Sequence, residues 1–73
     1  MANHTYKLVE LVGTSPEGSD AAVKNAVAYA HTQYPNLRWF EVLETRGHLE
    51  DGKVAHWQVV IKVGYTLAPP TSD

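Results

Sequence analysis

The stretch WFEVLETRGHLEDGKVAHWQVVIKVGYTL, residues 39–67, decides the fold. At its centre stands Glu50-Asp51-Gly52-Lys53. An Asp-Gly pair between alternating apolar residues is a strong hairpin signal, because both central residues of a type I′ turn need φ > 0. With Asp51 and Gly52 at the turn, Glu50 faces Lys53 and Glu41 faces Lys62. Two opposite-charge cross-strand pairs thus follow from a register chosen on other grounds, which supports it. The same register sets Phe40 opposite Val63, Val42 opposite Ile61, Glu44 opposite Val59 and Arg46 opposite Trp57. That face is mostly apolar and is expected to receive a helix. The opposite face carries Trp39, Glu41, Leu43 and Thr45 on one strand and His56, Gln58, Val60 and Lys62 on the other.

Working outward, Trp39–Leu49 and Val54–Leu67 are the second and third strands, and Tyr6–Val12, YKLVELV, is the first. Gly13-Thr14-Ser15-Pro16-Glu17-Gly18 reads as a turn and helix entry, with Ser15 or Ser19 as N-cap. From Asp20 to about Gln33 the pattern is helical. Val23, Ala26, Val27, Ala30 and Tyr34 recur at steps of three and four and form one apolar stripe. Asp20 near the start and His31 near the end suit the helix dipole, and Pro35-Asn36 ends the segment. The expected fold is α+β: a single β-α-β-β domain over residues 1–67, with a three-stranded antiparallel sheet packed on one helix. Residues 68–73 are expected to form a disordered tail.

At 73 residues the chain forms one domain. A domain of this size buries only about 60% of the surface its unfolded form exposes, so it needs disulfides, a metal or oligomerisation. There is no cysteine, which removes disulfides and thiolate sites. His4, His31, His48 and His56 lack ligand spacing, so no metal is expected. The net charge is −2 and the basic residues are scattered, which argues against nucleic acid. Met1–Lys7 has no apolar run of a signal peptide, and no stretch approaches the ~20 residues that span a bilayer. The expectation is a cytoplasmic protein without a membrane or nucleic-acid partner.

A helix of about fourteen residues is roughly 21 Å long, whereas strands of eleven to thirteen residues run to about 35 Å or more. The helix therefore cannot cover even one sheet face, and the second face has no cover within the chain. That face also presents Tyr6, Leu8 and Glu10 of the first strand. Layered architectures need a partner for such a face. Another copy of the chain is the expected partner, and closed symmetric assembly its form.

The segments YKLVELVGTS (6–15), WFEV (39–42), TRGH (45–48), VAHWQV (54–59) and KVGY (62–65), in this order and spacing, resemble the dodecins. The resemblance covers nearly the whole chain, to about Leu67. It implies a hollow homododecamer that binds flavins in pairs between symmetry-related tryptophans, stores and buffers them, and quenches their photoreactivity without turnover. FMN is the flavin it favours, with riboflavin or FAD as further ligands and coenzyme A bound by some members.

Carried onto this chain, the resemblance assigns cofactor binding to Trp39, Arg46, Gln58 and His48. Trp39 matches the stacking tryptophan; read alone, it is an aromatic packing at a strand start. An electron-rich indole stacks well on a flat, electron-poor ring. Gln58 matches a glutamine reading the polar ring edge, since a primary amide offers both donor and acceptor; read alone, it is a solvated strand residue. In the hairpin register Gln58 faces Thr45, about 20 Å along the strand from Trp39. One ring cannot touch both, so at one flavin they come from different subunits. Arg46 matches an arginine of the site, yet the register puts it on the other face, against Trp57 as a cation–π pair. A β-bulge near Gly47 would reconcile the two. His48 is a candidate for a phosphate or ring-edge contact, or a plain hairpin-end histidine.

Glu41 with Lys62, and Glu10, read as structural ion pairs and interface groups rather than acid–base machinery. Two positions depart from the family pattern. Arg38 stands where many relatives have aspartate, and Thr66 where many carry arginine. Loss of that arginine, a residue suited to phosphate, argues mildly against coenzyme A. Two other functions compete with flavin storage: a small flavin-dependent reductase and a ligand-free structural scaffold.

Overall fold

The computed structural model describes residues 5–67. The chain runs β1 (Tyr6–Ser15), α1 (Ser19–Gln33), β2 (Leu37–Glu50) and β3 (Lys53–Thr66). The strands form one antiparallel sheet in the order β1-β3-β2, so β3 is central and both flanking strands are edges. This is the β-α-β-β architecture the sequence predicts; the tail at 68–73 lies outside the described residues.

The hairpin turns on Asp51 (φ 53°) and Gly52 (φ 75°), both left-handed as a type I′ turn requires. Pairing follows the expected register at Glu50–Lys53, Val42–Ile61, Glu41–Lys62 and Phe40–Val63. Between them it departs. Leu43 is bulged out between Val42 and Glu44, so Glu44 faces Val60, Thr45 faces Val59, Arg46 faces Gln58 and Gly47 faces Trp57. A compensating irregularity at His48/Leu49 restores the register before the turn. One extra residue moves every side chain in the segment to the opposite face.

β1 extends through Ser15, three residues further than the apolar pattern suggests. Gly13 is part of this strand, not of a turn. A Cβ there would run into the Ala22 carbonyl and the Ala26 side chain, so its bareness lets the helix lie close. The cap also differs from expectation: Gly18 is the N-cap, without a side-chain bond. Ser15 instead accepts a bond from the Glu17 N–H at 3.0 Å, closing the turn before the helix.

Against the sheet, the innermost helical residues are Ala22, Ala26 and Ala30, packed on Val59, Ile61 and Val63 of the central strand. Val23, Val27 and Tyr34, with Val9, Leu11, Leu37 and Trp57, flank this core. Ala26 and Ala30 of the expected stripe are thus its deepest members, joined by Ala22, while Val23, Val27 and Tyr34 flank them, because alanine permits the closest approach. At 1.5 Å per residue α1 spans about 22 Å, while the molecule is 55 Å long. Phe40 and Val42, on the helix side of the sheet, remain 51% and 45% exposed. With Val23 and Val27 they line an apolar groove of about 610 Å³, rimmed by Asp20 and Lys24.

Candidate functional site

The face turned away from the helix carries Leu8, Glu10, Val12 and Thr14 of β1, and His56, Gln58, Val60 and Lys62 of β3. From β2 come Trp39, Glu41, Glu44, Arg46 and His48. The bulge at Leu43 brings Arg46 onto this face, so all four residues singled out in the sequence share it. This corrects the expected opposition of Arg46 to Trp57: Trp57 lies on the helix side, facing Gly47, and no cation–π pair forms. The bulge also lies earlier than Gly47.

At one end of the face Trp39 stands opposite Gly64. A Cβ on Gly64 would enter the indole nearest its ring-fusion carbon Cε2, with Cζ2 and Nε1 beside it. A fusion carbon is nearest only when the approach is through the ring's face. One indole face is therefore seated on the bare backbone of β3, and the residue keeps 42% exposure for contacts outside the chain. The Tyr6 ring meets it edge-on at a centroid distance of 6.4 Å. Gly64 carried no signal in the sequence beyond its position in a strand, where a glycine marks a bulge or a close approach.

Towards the hairpin end, Arg46 Nε donates to Gln58 Oε1 at 3.0 Å, and its Nη1 donates to Glu44 Oε1 at 2.9 Å. Gln58 Nε2 lies 3.4 Å from His56 Nε2. The His56 ring stacks on His48 across the strands, with centroids 5.0 Å apart and planes at 19°. His48 Nε2 in turn lies 3.5 Å from Glu50 Oε2. Glu44, Arg46, Gln58, His56, His48 and Glu50 thus form one continuous polar string. His56 was read from the sequence only as a residue of this face; its place in the string was not legible without the register. Glu50 turns to His48 rather than to Lys53, and Glu41 and Lys62 face each other without closing to an ion pair among the described residues.

Gln58 pairs six residues before Gly64 on β3, so it stands about 20 Å from Trp39 along the sheet. The two ends of the face cannot meet on one small planar ligand within a chain. Beside Trp39, Arg38 Nε donates to the buried Thr66 hydroxyl at 3.2 Å. A guanidinium is thereby held at the end of β3 from the neighbouring strand.

No group of three or more His, Asp or Glu side chains that could hold a metal occurs among the described residues, and no described helix is long and apolar enough to cross a membrane.

Comparison with known proteins agrees with this fold. The Dodecin family model matches residues 5–68. A dodecin of Thermus thermophilus is 50% identical over 62 residues, covering 85% of this chain and 90% of the relative. The solved dodecin of Streptomyces davaonensis superposes with a TM-score of 0.90 at 53% identity, covering 93% of this chain and all of that one. The dodecin of Streptomyces coelicolor gives 0.89 at 55% identity, over 94% and 99% of the two chains. A family match over the whole described chain, joined to the same fold at half-identical sequence, leaves one conclusion: this chain belongs to the dodecin family.

Proposed function

We propose that this protein sequesters flavin, FMN first, in sites completed between copies of the chain, and that it stores and shields the cofactor rather than turning it over. The observation that carries this reading is the indole of Trp39, seated by one face on Gly64 and left accessible on an otherwise uncovered sheet face. A flat, electron-poor ring fits against such a surface. Trp39 presents a single free face, so a sandwich between two indoles takes a second copy related by symmetry.

The donor set at the other end supports the same ligand class. With Oε1 engaged by Arg46 and Nε2 directed to His56, the Gln58 amide retains one N–H and one lone pair. That pair suits an edge on which a carbonyl oxygen lies beside an N–H, as in the pyrimidine portion of a flavin. Arg46, and His48 when protonated, suit the FMN phosphate. The distance of about 20 Å from Trp39 to Gln58 supports a site in which these two contacts at one ring come from different subunits. Assembly then covers the open face and the groove at Phe40 and Val42, and forms the ligand site at the same time. The resemblance to the dodecins supports a hollow dodecamer as the form of that assembly.

A ring held between an indole and a second flavin leaves little room for a substrate, which favours storage over a reductase. Riboflavin and FAD share the ring and are secondary ligands. Coenzyme A ranks below them, although Arg38 holds a guanidinium at the position where Thr66 replaces the family's arginine.

The test is titration of free FMN fluorescence with flavin-free protein. Saturable quenching is expected, at one flavin per chain. Absence of saturable quenching overturns the proposal in favour of a ligand-free scaffold. A nicotinamide-dependent reduction rate far above that of free FMN overturns it in favour of a reductase.

A further inference from the structure

Within the polar string the direction of the bonds from Arg46 through Gln58 to His56 is fixed from one end. Guanidinium N–H groups only donate and keep their protons. The Gln58 amide atom 3.0 Å from Arg46 Nε is therefore its oxygen, and the amide nitrogen is the atom turned toward His56 Nε2 at 3.4 Å. An amide NH2 also only donates. The contact is favourable only while His56 Nε2 is bare, that is, in the neutral ring carrying its proton on Nδ1. In an imidazolium both ring nitrogens donate, and two donors then meet. Gln58 cannot escape by turning over, because that would aim its NH2 at Arg46.

We infer that His56 is a positioning residue for the ring-edge reader: neutral, it locks the Gln58 amide in one orientation, and protonated, it unlocks it. This rests on the reading of Gln58 as a flavin contact. The locked amide presents its second N–H and second lone pair outward in a fixed order, which pre-organises it for an acceptor beside a donor. Once His56 is charged, Arg46 alone holds the amide, by its oxygen, and the nitrogen end is turned away from the ring, so the ligand must restore its order.

Recognition of the ring edge is therefore expected to weaken on acidification, as His56 gains a second ring proton. The groups around His56 are accounted for on every side. From β2 come the stacked His48 with Glu50 beyond it, and Arg46 with Glu44. Lys53 stands opposite Glu50 at the hairpin end. β1 brings only Thr14 opposite Gln58 at this level, with Glu10 further along opposite Lys62. Glu17, Asp20 and Lys24 of the helix side gather near Trp57, across the sheet. Of these groups only Arg46 and His56 touch the amide, Arg46 at its oxygen and His56 at its nitrogen.

The experiment is a fluorescence titration of riboflavin with the flavin-free assembled protein between pH 8 and 5.5 at constant ionic strength, with the particle sized at each pH. Riboflavin is chosen because it lacks a phosphate, a group that itself titrates near pH 6. Kd is expected to rise about tenfold over this range. His56→Gln, which keeps a neutral acceptor at every pH, is expected to flatten the profile, and His48→Gln to retain the slope. A flat profile with saturable quenching, or a slope that survives in His56→Gln, overturns the inference and leaves the flavin reading intact. Absence of saturable quenching at pH 8 overturns both. A readout independent of variants is the ¹⁵N spectrum of the His56 ring at pH 8: a bare Nε2 is expected, and a protonated Nε2 overturns the inference.

Discussion

Trp39 lies face-on against Gly64, so the candidate stacking surface is seated by a residue chosen for having no side chain. Gly64→Ala is expected to lift the indole off the sheet. Overpacking of this kind costs about 1–3 kcal/mol. Flavin affinity should fall in parallel with thermal stability, read by FMN titration and a thermal melt. A variant that melts lower yet binds FMN as before would detach the seating of Trp39 from its role.

Trp39→Phe retains an aromatic ring but removes the indole. Bound flavin in this variant is expected to be brighter and held more weakly. Steady-state and time-resolved emission of the bound ligand measure it, and quenching equal to that of the parent protein would sink the role given to the indole.

Arg46 and Gln58 are joined by a 3.0 Å bond between exposed and half-buried side chains. Their effects on flavin binding should therefore be non-additive. In a double-mutant cycle of Arg46→Met and Gln58→Ala, a coupling of about 0.5–3 kcal/mol is expected. The Arg46–Glu44 ion pair is half exposed and should contribute no more than about 1 kcal/mol, so Glu44→Gln should change affinity far less than either partner of the coupled pair.

Gly13 admits the helix to the sheet, and the atoms a methyl would meet there include the Ala22 backbone carbonyl. Backbone cannot give way as a side-chain tip can. Gly13→Ala should lower the midpoint of thermal unfolding while leaving the distant Trp39–Gly64 contact in place. Near-ultraviolet circular dichroism at low temperature, dominated by the tryptophans, would report the second part.

Much of this was legible in the sequence, and what was not has identifiable causes. The Asp51-Gly52 turn fixed the hairpin because its φ requirement admits few residues, and the charge pairs confirmed the register around it. Past Val42 that register failed. The bulge falls on Leu43, a residue with no bulge signature, while Gly47, which has one, pairs normally with Trp57. The error moved Arg46 to the wrong face, and only the resemblance to the dodecins kept it among the candidates. The helix stripe over Val23, Ala26, Val27, Ala30 and Tyr34 includes two of the three buried alanines but omits Ala22, because alanine is nearly silent in a hydrophobic pattern; in a tightly packed layer the smallest residues go deepest. Gly13 and Gly64 make their contacts through an absent side chain, which sequence does not display until the neighbour is known. His56 is similar: its partner is set by a register shifted by one residue.

The central claim is that assembly makes the ligand site. Sedimentation velocity followed at both the protein and the flavin absorption bands tests it most directly. Flavin is expected to travel only with a dodecamer-sized particle, at one flavin per chain, and none with any smaller species. Flavin bound at that ratio to a monomer would contradict it.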